Sequence, residues 1–262
     1  MKNDDRDVIR TEVAPLLQKA EASLLLGAGF SLVNSSAMGR LPTGDGLRDL
    51  ILQRCNKKAG PKTTLKDAYL LGLREIPNFS TFLAECFTVK MALPWQERIF
   101  SYPWGRIYTT NIDNVLNVAL EQCTKKNKLG GDFVFANYSD PSILSSAIGS
   151  MPVVTIHGTC LKLDEGFIFS SLEYAKAAIK VLDWHRDLAA KILTGGLIVV
   201  GNQLDESDID SHLAIREGAY KTSGAAANFM VMPNPDEIKA DNYRAAGYRV
   251  LDCTAEEFFT EL

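Results

Sequence analysis

The sequence predicts an α/β fold, a doubly wound parallel sheet with a helical insert after the first strand. Three observations lead there. Short runs of three to five apolar residues recur along the chain, separated by longer stretches with helical spacing, as in parallel strands joined by crossover helices. The first run, Leu24–Leu26, leads directly into a turn almost without side chains, Gly27-Ala28-Gly29. Between Gly46 and Phe100 the apolar residues fall only on successive helical faces.

Taken in order, Asp7–Ala22 places Val8, Val13, Leu16, Leu17 and Ala20 at helical spacing, with Pro15 bending or splitting the helix. Leu24–Leu26 reads as a short buried strand. Ser31–Leu47, rich in Gly, Ser and Asn, reads as a mobile loop over the turn. Within the insert, about 46–100, faces are marked by Leu47, Leu50 and Ile51, by Leu65, Ala68 and Tyr69, and by Phe79, Phe82, Leu83 and Phe87; Pro77 and Pro94 punctuate them. Alternation then resumes. Strands are expected at Arg106–Thr109, Phe133–Phe135, Pro152–Ile156, Phe167–Phe169, Leu197–Val200, Phe229–Met232 and Tyr248–Leu251. Helices are expected at Ile112–Cys123, Pro141–Ile148, Leu172–Val181, Trp184–Leu193, Ser207–Tyr220 and Pro235–Ala246. No internal repeat or low-complexity linker divides the 262 residues, so a single domain over 1–262 is expected.

Bulk properties narrow the function classes. With 46% hydrophobic and 23% charged residues the chain has the composition of an ordinary globular protein. A formal net charge of −4 and the lack of a basic run argue against nucleic acid as the main ligand. Cys55, Cys86, Cys123, Cys160 and Cys253 form no C-x-x-C pair, which speaks against a disulfide framework and a zinc ribbon and fits a reducing, cytoplasmic compartment. The charged N-terminus does not resemble a signal peptide, and no apolar run is long enough to span a bilayer.

In a doubly wound sheet the turns after the strand C-termini converge on one crevice. Those turns are Gly27-Ala28-Gly29-Phe30-Ser31, Thr110-Asn111-Ile112-Asp113, His157-Gly158 and Gly201-Asn202-Gln203-Leu204-Asp205. Each also has a plain structural reading. The glycine turn lacks the third glycine of the dinucleotide fingerprint. Thr110 and Asp113 are spaced as a capping box, a histidine at a strand end commonly serves packing, and Gly201–Asp208 could be an acidic turn before a helix. Together they supply what a nucleotide site needs: a backbone turn for a pyrophosphate, an amide and a carboxylate, and a histidine able to move a proton near neutral pH.

These motifs resemble the sirtuin-like fold, specifically its NAD-consuming bacterial anti-phage branch, as in Thoeris-type effectors. Gly27-Ala28-Gly29-Phe30-Ser31 is similar to the family's Gly-Ala-Gly-x-Ser, and Thr110-Asn111-Ile112-Asp113 to its Thr-(Gln/Thr)-Asn-x-Asp. His157-Gly158 is similar to its catalytic His-Gly, and Gly201–Asp208 to its late Gly-x-Ser-x-x-Asp loop. The resemblance implies a Rossmann-like fold with NAD as substrate. Gly27, Ala28, Gly29, Phe30, Ser31 and Thr110 would hold the pyrophosphate side. Asn111 and Asp113 would sit by the nicotinamide ribose and carboxamide, and His157 would work at the ribose. Gly201, Asn202, Asp252 and Cys253 would border the adenosine half.

Departures bear on the reaction. A deacylase of this family carries a four-cysteine zinc module after its His-Gly, whereas here about eight residues separate Gly158 from Phe167 and Cys160 stands alone. No zinc and no hydrophobic wall for an acyl-lysine tunnel are therefore expected. Gly39-Arg40-Leu41-Pro42-Thr43-Gly44 replaces the family's Gly-Ile-Pro-Asp-Phe-Arg, and Gln203 stands in place of the late motif's serine. The resemblance then implies an NAD glycohydrolase acting in defence, with a non-catalytic NAD-sensing module or a deacylase as alternatives. It further implies a homo-oligomer with a sensor domain or activating partner, the chain being either a stand-alone protein or an effector domain of a longer one.

Overall fold

The computed structural model describes residues 1–140, 149–168, 183–204, 215–218, 220–221 and 226–262. Its centre is a seven-stranded, all-parallel sheet in the order β5-β6-β4-β1-β7-β8-β9. The strands are β1 (Ser23–Leu26), β4 (Arg106–Thr109), β5 (Asp132–Asn137), β6 (Ser150–Thr155), β7 (Leu197–Val200), β8 (Asn228–Val231) and β9 (Tyr248–Leu251). The chain enters at β1 in mid-sheet, adds β4 beside it, passes to the edge strand β5, fills in β6 between β5 and β4, then crosses to build β7, β8 and β9 on the other side. Strand order therefore reverses at β1, and ligand crevices form beyond the strand C-termini at such a switch point. The glycine turn lies there.

All four residues of β1 and of β7 are buried, which is why these strands read as unbroken apolar runs. Leu24 and Leu26 face one core with Ile107, Val153, Ile198 and Phe229, while Leu25 faces a second with Tyr108, Val154, Val199 and Met230. Burying each β1 leucine stabilises the fold by about 1.5–3 kcal/mol.

The first core is covered by the N-terminal helix, the insert and the C-terminal helix. The N-terminal helix runs from α1 (Asn3–Val8) through a π-helical turn at Ile9–Val13 into α2 (Ala14–Gln18). Pro15 sits in the first turn of α2, so the widened turn just before it absorbs the missing N–H and the ring. The insert comprises α4 (Gly44–Arg54), α5 (Leu65–Glu75), α6 (Phe79–Phe87), α7 (Pro94–Glu97) and a 3-10 turn at Arg98–Ser101. Next come α8 (Val115–Lys125), then α9 (Asp183–Thr194) and α10 (Glu237–Ala245) against the second core, and α11 (Ala255–Glu261).

Several expectations change. Ser31–Leu47 is ordered: Ser31 closes the one-turn helix α3 (Ala28–Ser31), β2 (Ser35–Ser36) pairs with β3 (Gly39–Arg40), and Leu41 is buried. Asn34 there is an internal partner. Buried Asn34 and Gln96 exchange amide hydrogen bonds at 3.0 and 2.7 Å, and Gln96 Nε2 also donates to the Phe30 carbonyl at 3.0 Å. Residues 167 and 168 form no strand; one bond from Ile168 N to the His157 carbonyl (3.0 Å) takes the place of a ladder. Helix α8 begins at Val115, not Ile112, with Asn114 as its N-cap. The helices expected at 141–148 and 172–181, and most of the one at 207–220, lie outside the described residues.

Candidate active site

The turn after β1 is welded to the turn after β7. Gly27 N donates to the Val200 carbonyl at 3.0 Å and Gly29 N to the Gly201 carbonyl at 2.9 Å. A Cβ on Gly29 would lie 2.8 Å from Gly201 Cα, and one on Gly201, whose φ is +66°, would lie 2.4 Å from Phe30 N. These glycines are thus required by the close approach of two backbones. The β4 turn is tied to the same pair: Thr110 N donates to the Leu26 carbonyl at 3.0 Å, and the Thr110 hydroxyl accepts from Asn202 Nδ2 at 3.1 Å. Asn202 is buried, and its Oδ1 accepts from Leu204 N at 2.6 Å. Gln203 turns away, binding Lys239 and Tyr243 of α10 at 2.5 Å each.

Thr110 and Asp113 do not form the capping box their spacing suggests. Thr110 holds the β7 turn, and Asp113 Oδ1 accepts from Val115 N at 3.0 Å, capping α8 from just outside it. That leaves the Asn111 side chain free to reach back across the switch point. Its Nδ2 donates to the Gly27 carbonyl at 2.9 Å and to Ser31 Oγ at 3.0 Å. Ser31 lies beside Asp113, whose ionised form its hydroxyl favours. Asn111, buried Ser31 and Asp113 therefore form one polar line. Burial pushes the Asp113 carboxyl up to about 6, against the opposing pull of the Val115 amide and the Ser31 hydroxyl.

This line is one side of a cleft of about 130 Å³. Ala28, Ser31, Thr110, Asn111 and Asp113 line the polar side. Leu32, Leu41, Pro42, Leu47, Leu65 and Phe87 line the other. The expected lack of a hydrophobic wall is thus overturned: the insert and the segment before it build one. Its only trace in the sequence is the apolar faces of the insert helices.

Residues 105–251 match the SIR2-like domain, more than half of the chain. The chain belongs to the SIR2-like family. The matched segment of this SIR2-like domain contains Thr110–Asp113, His157-Gly158 and Gly201-Asn202, and it stops short of the glycine turn, the insert and Asp252-Cys253. The family implies use of NAD. No curated protein matches the chain.

Other expected site residues lie further out. His157 follows β6, one strand beyond β4, and is buried. It is not among the cleft-lining residues; its ring stacks on that of His185 of α9, with centroids 6.5 Å apart. No local signal in the sequence marks His185 as that neighbour. Asp252 follows β9, three strands from β1, or about 14 Å at the usual spacing. Its carboxylate accepts from Asn234 N at 2.8 Å and pairs with Lys2 at 2.9 Å, which lowers its pKa. Cys253 is buried, and burial pushes its thiol up to about 12. Among the described residues no group of three or more His, Cys, Asp or Glu side chains could hold a metal ion, and no helix is long and apolar enough to cross a membrane.

Proposed function

We propose that this SIR2-like domain cleaves NAD, releasing nicotinamide and, with water as the nucleophile, ADP-ribose, or, with a nucleophile of the same molecule, a cyclic form of it, and that it serves anti-phage defence by depleting NAD. The observation that carries this reading is the line Asn111–Ser31–Asp113 facing an apolar wall at the topological switch point. The reaction breaks the N-glycosidic bond of NAD. Nicotinamide leaves with the bonding electrons, an oxocarbenium-like ribose forms, and water adds and gives up a proton.

Both Nδ2 hydrogens of Asn111 are taken by Gly27 and Ser31. Its Oδ1 is left to accept from the attacking water or a ribose hydroxyl. Asp113, ionised above about pH 6, accepts from the nicotinamide carboxamide. Ser31 holds Asn111 and lies beside Asp113, and such prior alignment supplies much of the barrier reduction. The apolar wall limits water at the reacting carbon to what Asn111 holds. His157, at the end of β6, polarises or deprotonates the nucleophile. The glycine turn and Asn202 bind the remainder of NAD.

The same wall favours a second reading, an NAD-dependent deacylase, because an acyl chain also needs an apolar slot. Incubation of the protein with NAD, with and without an acyl-lysine peptide, separates the two. The hydrolase reading expects nicotinamide and free ADP-ribose without peptide. Nicotinamide release that requires the peptide and yields an acylated ADP-ribose supports the deacylase, and tight NAD binding without any product supports a sensing module.

A further inference from the structure

A second groove runs along the far edge of the sheet, remote from the cleft. Among the described residues β9 is a terminal strand, paired only with β8, and all four of its residues line the groove. Register fixes which of its backbone groups are unused. The Gly247 and Leu251 carbonyls accept from Asn228 N and Met232 N of the β8 side, each at 3.1 Å. In a parallel ladder alternate residues face one neighbour, so Tyr248 and Val250 present their N–H and C=O groups outward. An edge of this kind is a template for another strand unless something covers it.

The groove has a volume of about 390 Å³, and Asp4, Asp5 and Val8 of α1 line it together with Tyr220 and Arg244. Its charges are unequally satisfied. Arg244 pairs with Asp241 at 2.6 Å and Arg249 with Glu12 at 3.3 Å. Asp5 is nine-tenths buried, and its Oδ2 has no hydrogen-bond partner. A buried carboxylate oxygen without a donor is costly, and no cation among the described residues hydrogen-bonds this one. The aromatic faces of Tyr220 and Tyr248 do not offer a cage for a small free cation, because the Arg216 guanidinium already lies 5.8 and 5.4 Å from their centroids. Nor does a concave groove suit a second copy of itself, since two such edges cannot enter each other.

We propose that this groove binds an extended basic peptide segment, which adds to β9 as an eighth strand and places a lysine or arginine against Asp5. The footprint is the four residues Tyr248–Leu251, roughly 13 Å at about 3.3 Å per residue. Main-chain bonds to Tyr248 and Val250 supply affinity, and the Asp5 pair supplies the preference for basic side chains.

The test titrates the full chain against a capped, fluorescein-labelled Lys-Val-Lys-Val-Lys-Val peptide and reads anisotropy. Controls are its Glu-Val counterpart and a copy with alternate backbone nitrogens methylated. Saturable binding of the Lys-Val peptide is expected, with neither control binding. Val250→Pro, which removes an outward N–H that the native ladder does not use, and Asp5→Asn are each expected to weaken binding roughly tenfold or more. The methylated peptide repeats the backbone test without altering the protein. Absence of saturable binding, or equal binding of the methylated and unmethylated peptides, overturns the proposal. So does sedimentation of the wild type as a dimer that Val250→Pro dissolves, which assigns the edge to a second copy.

Discussion

Asp113→Asn separates stability from function at the centre of the cleft. The native carboxyl is raised from its ordinary 3.8 to about 6, chiefly by burial. Below about pH 4 the folded and unfolded chains both hold the proton, and this group contributes its full stability. As pH rises toward 6 the unfolded chain ionises first, so that contribution is progressively lost. At about 1.4 kcal/mol per pH unit, the loss is at most about 3 kcal/mol at neutral pH. Asparagine keeps the shape and an acceptor for Val115 N and Ser31, and it never ionises. The stability of the variant relative to the wild type should therefore rise by about 1–3 kcal/mol between pH 4 and pH 7. Urea denaturation of both proteins across that range measures it, and the contributions of other groups cancel in the difference. Nicotinamide release by the variant should fall at least about 100-fold, since the charge on the acceptor is gone. A stability difference that does not change with pH would refute the burial of a working carboxylate at this point. A variant both more stable and fully active would refute its role.

Ser31→Ala leaves Asn111 and Asp113 in place but removes the hydroxyl between them. It should lower kcat roughly tenfold to 100-fold with a smaller change in KM, read from initial rates of nicotinamide release. Gly201→Ala introduces a Cβ 2.4 Å from Phe30 N at a φ of +66°, and calorimetry should show destabilisation of at least about 2 kcal/mol. Gln96→Leu breaks the reciprocal pair with Asn34 and strands the Phe30 carbonyl, at a cost of about 2–4 kcal/mol in chemical denaturation. Proteolysis should then cut first within 31–43, the segment that pair orders.

The sheet was legible in the sequence because its inner strands are buried on both faces and bounded by helices, so Leu24–Leu26 and Leu197–Val200 could hardly be anything else. The insert was legible from helical spacing alone. Order in Ser31–Leu47 was not, because it depends on Asn34 meeting Gln96 across 62 positions of chain, and polar residues look alike whether they face water or one another. Thr110 and Asp113 misled for a related reason. Their spacing satisfies a local rule, while tertiary contacts with Asn202 and Ser31 decide what they do. The segment at Phe167 is apolar enough for a strand but meets the sheet side through one backbone bond at Ile168. Asn111, Ser31 and Asp113 were found by motif, yet only the fold joins them into one line. The apolar wall opposite required three separate parts of the chain to converge.

Nicotinamide release from NAD by the wild type, Asn111→Ala and His157→Ala, assayed side by side with oligomeric state recorded, bears most directly on the proposed chemistry. Wild-type turnover with both variants reduced at least about 100-fold is the expected result. Variants that keep wild-type turnover, with folding confirmed, contradict it.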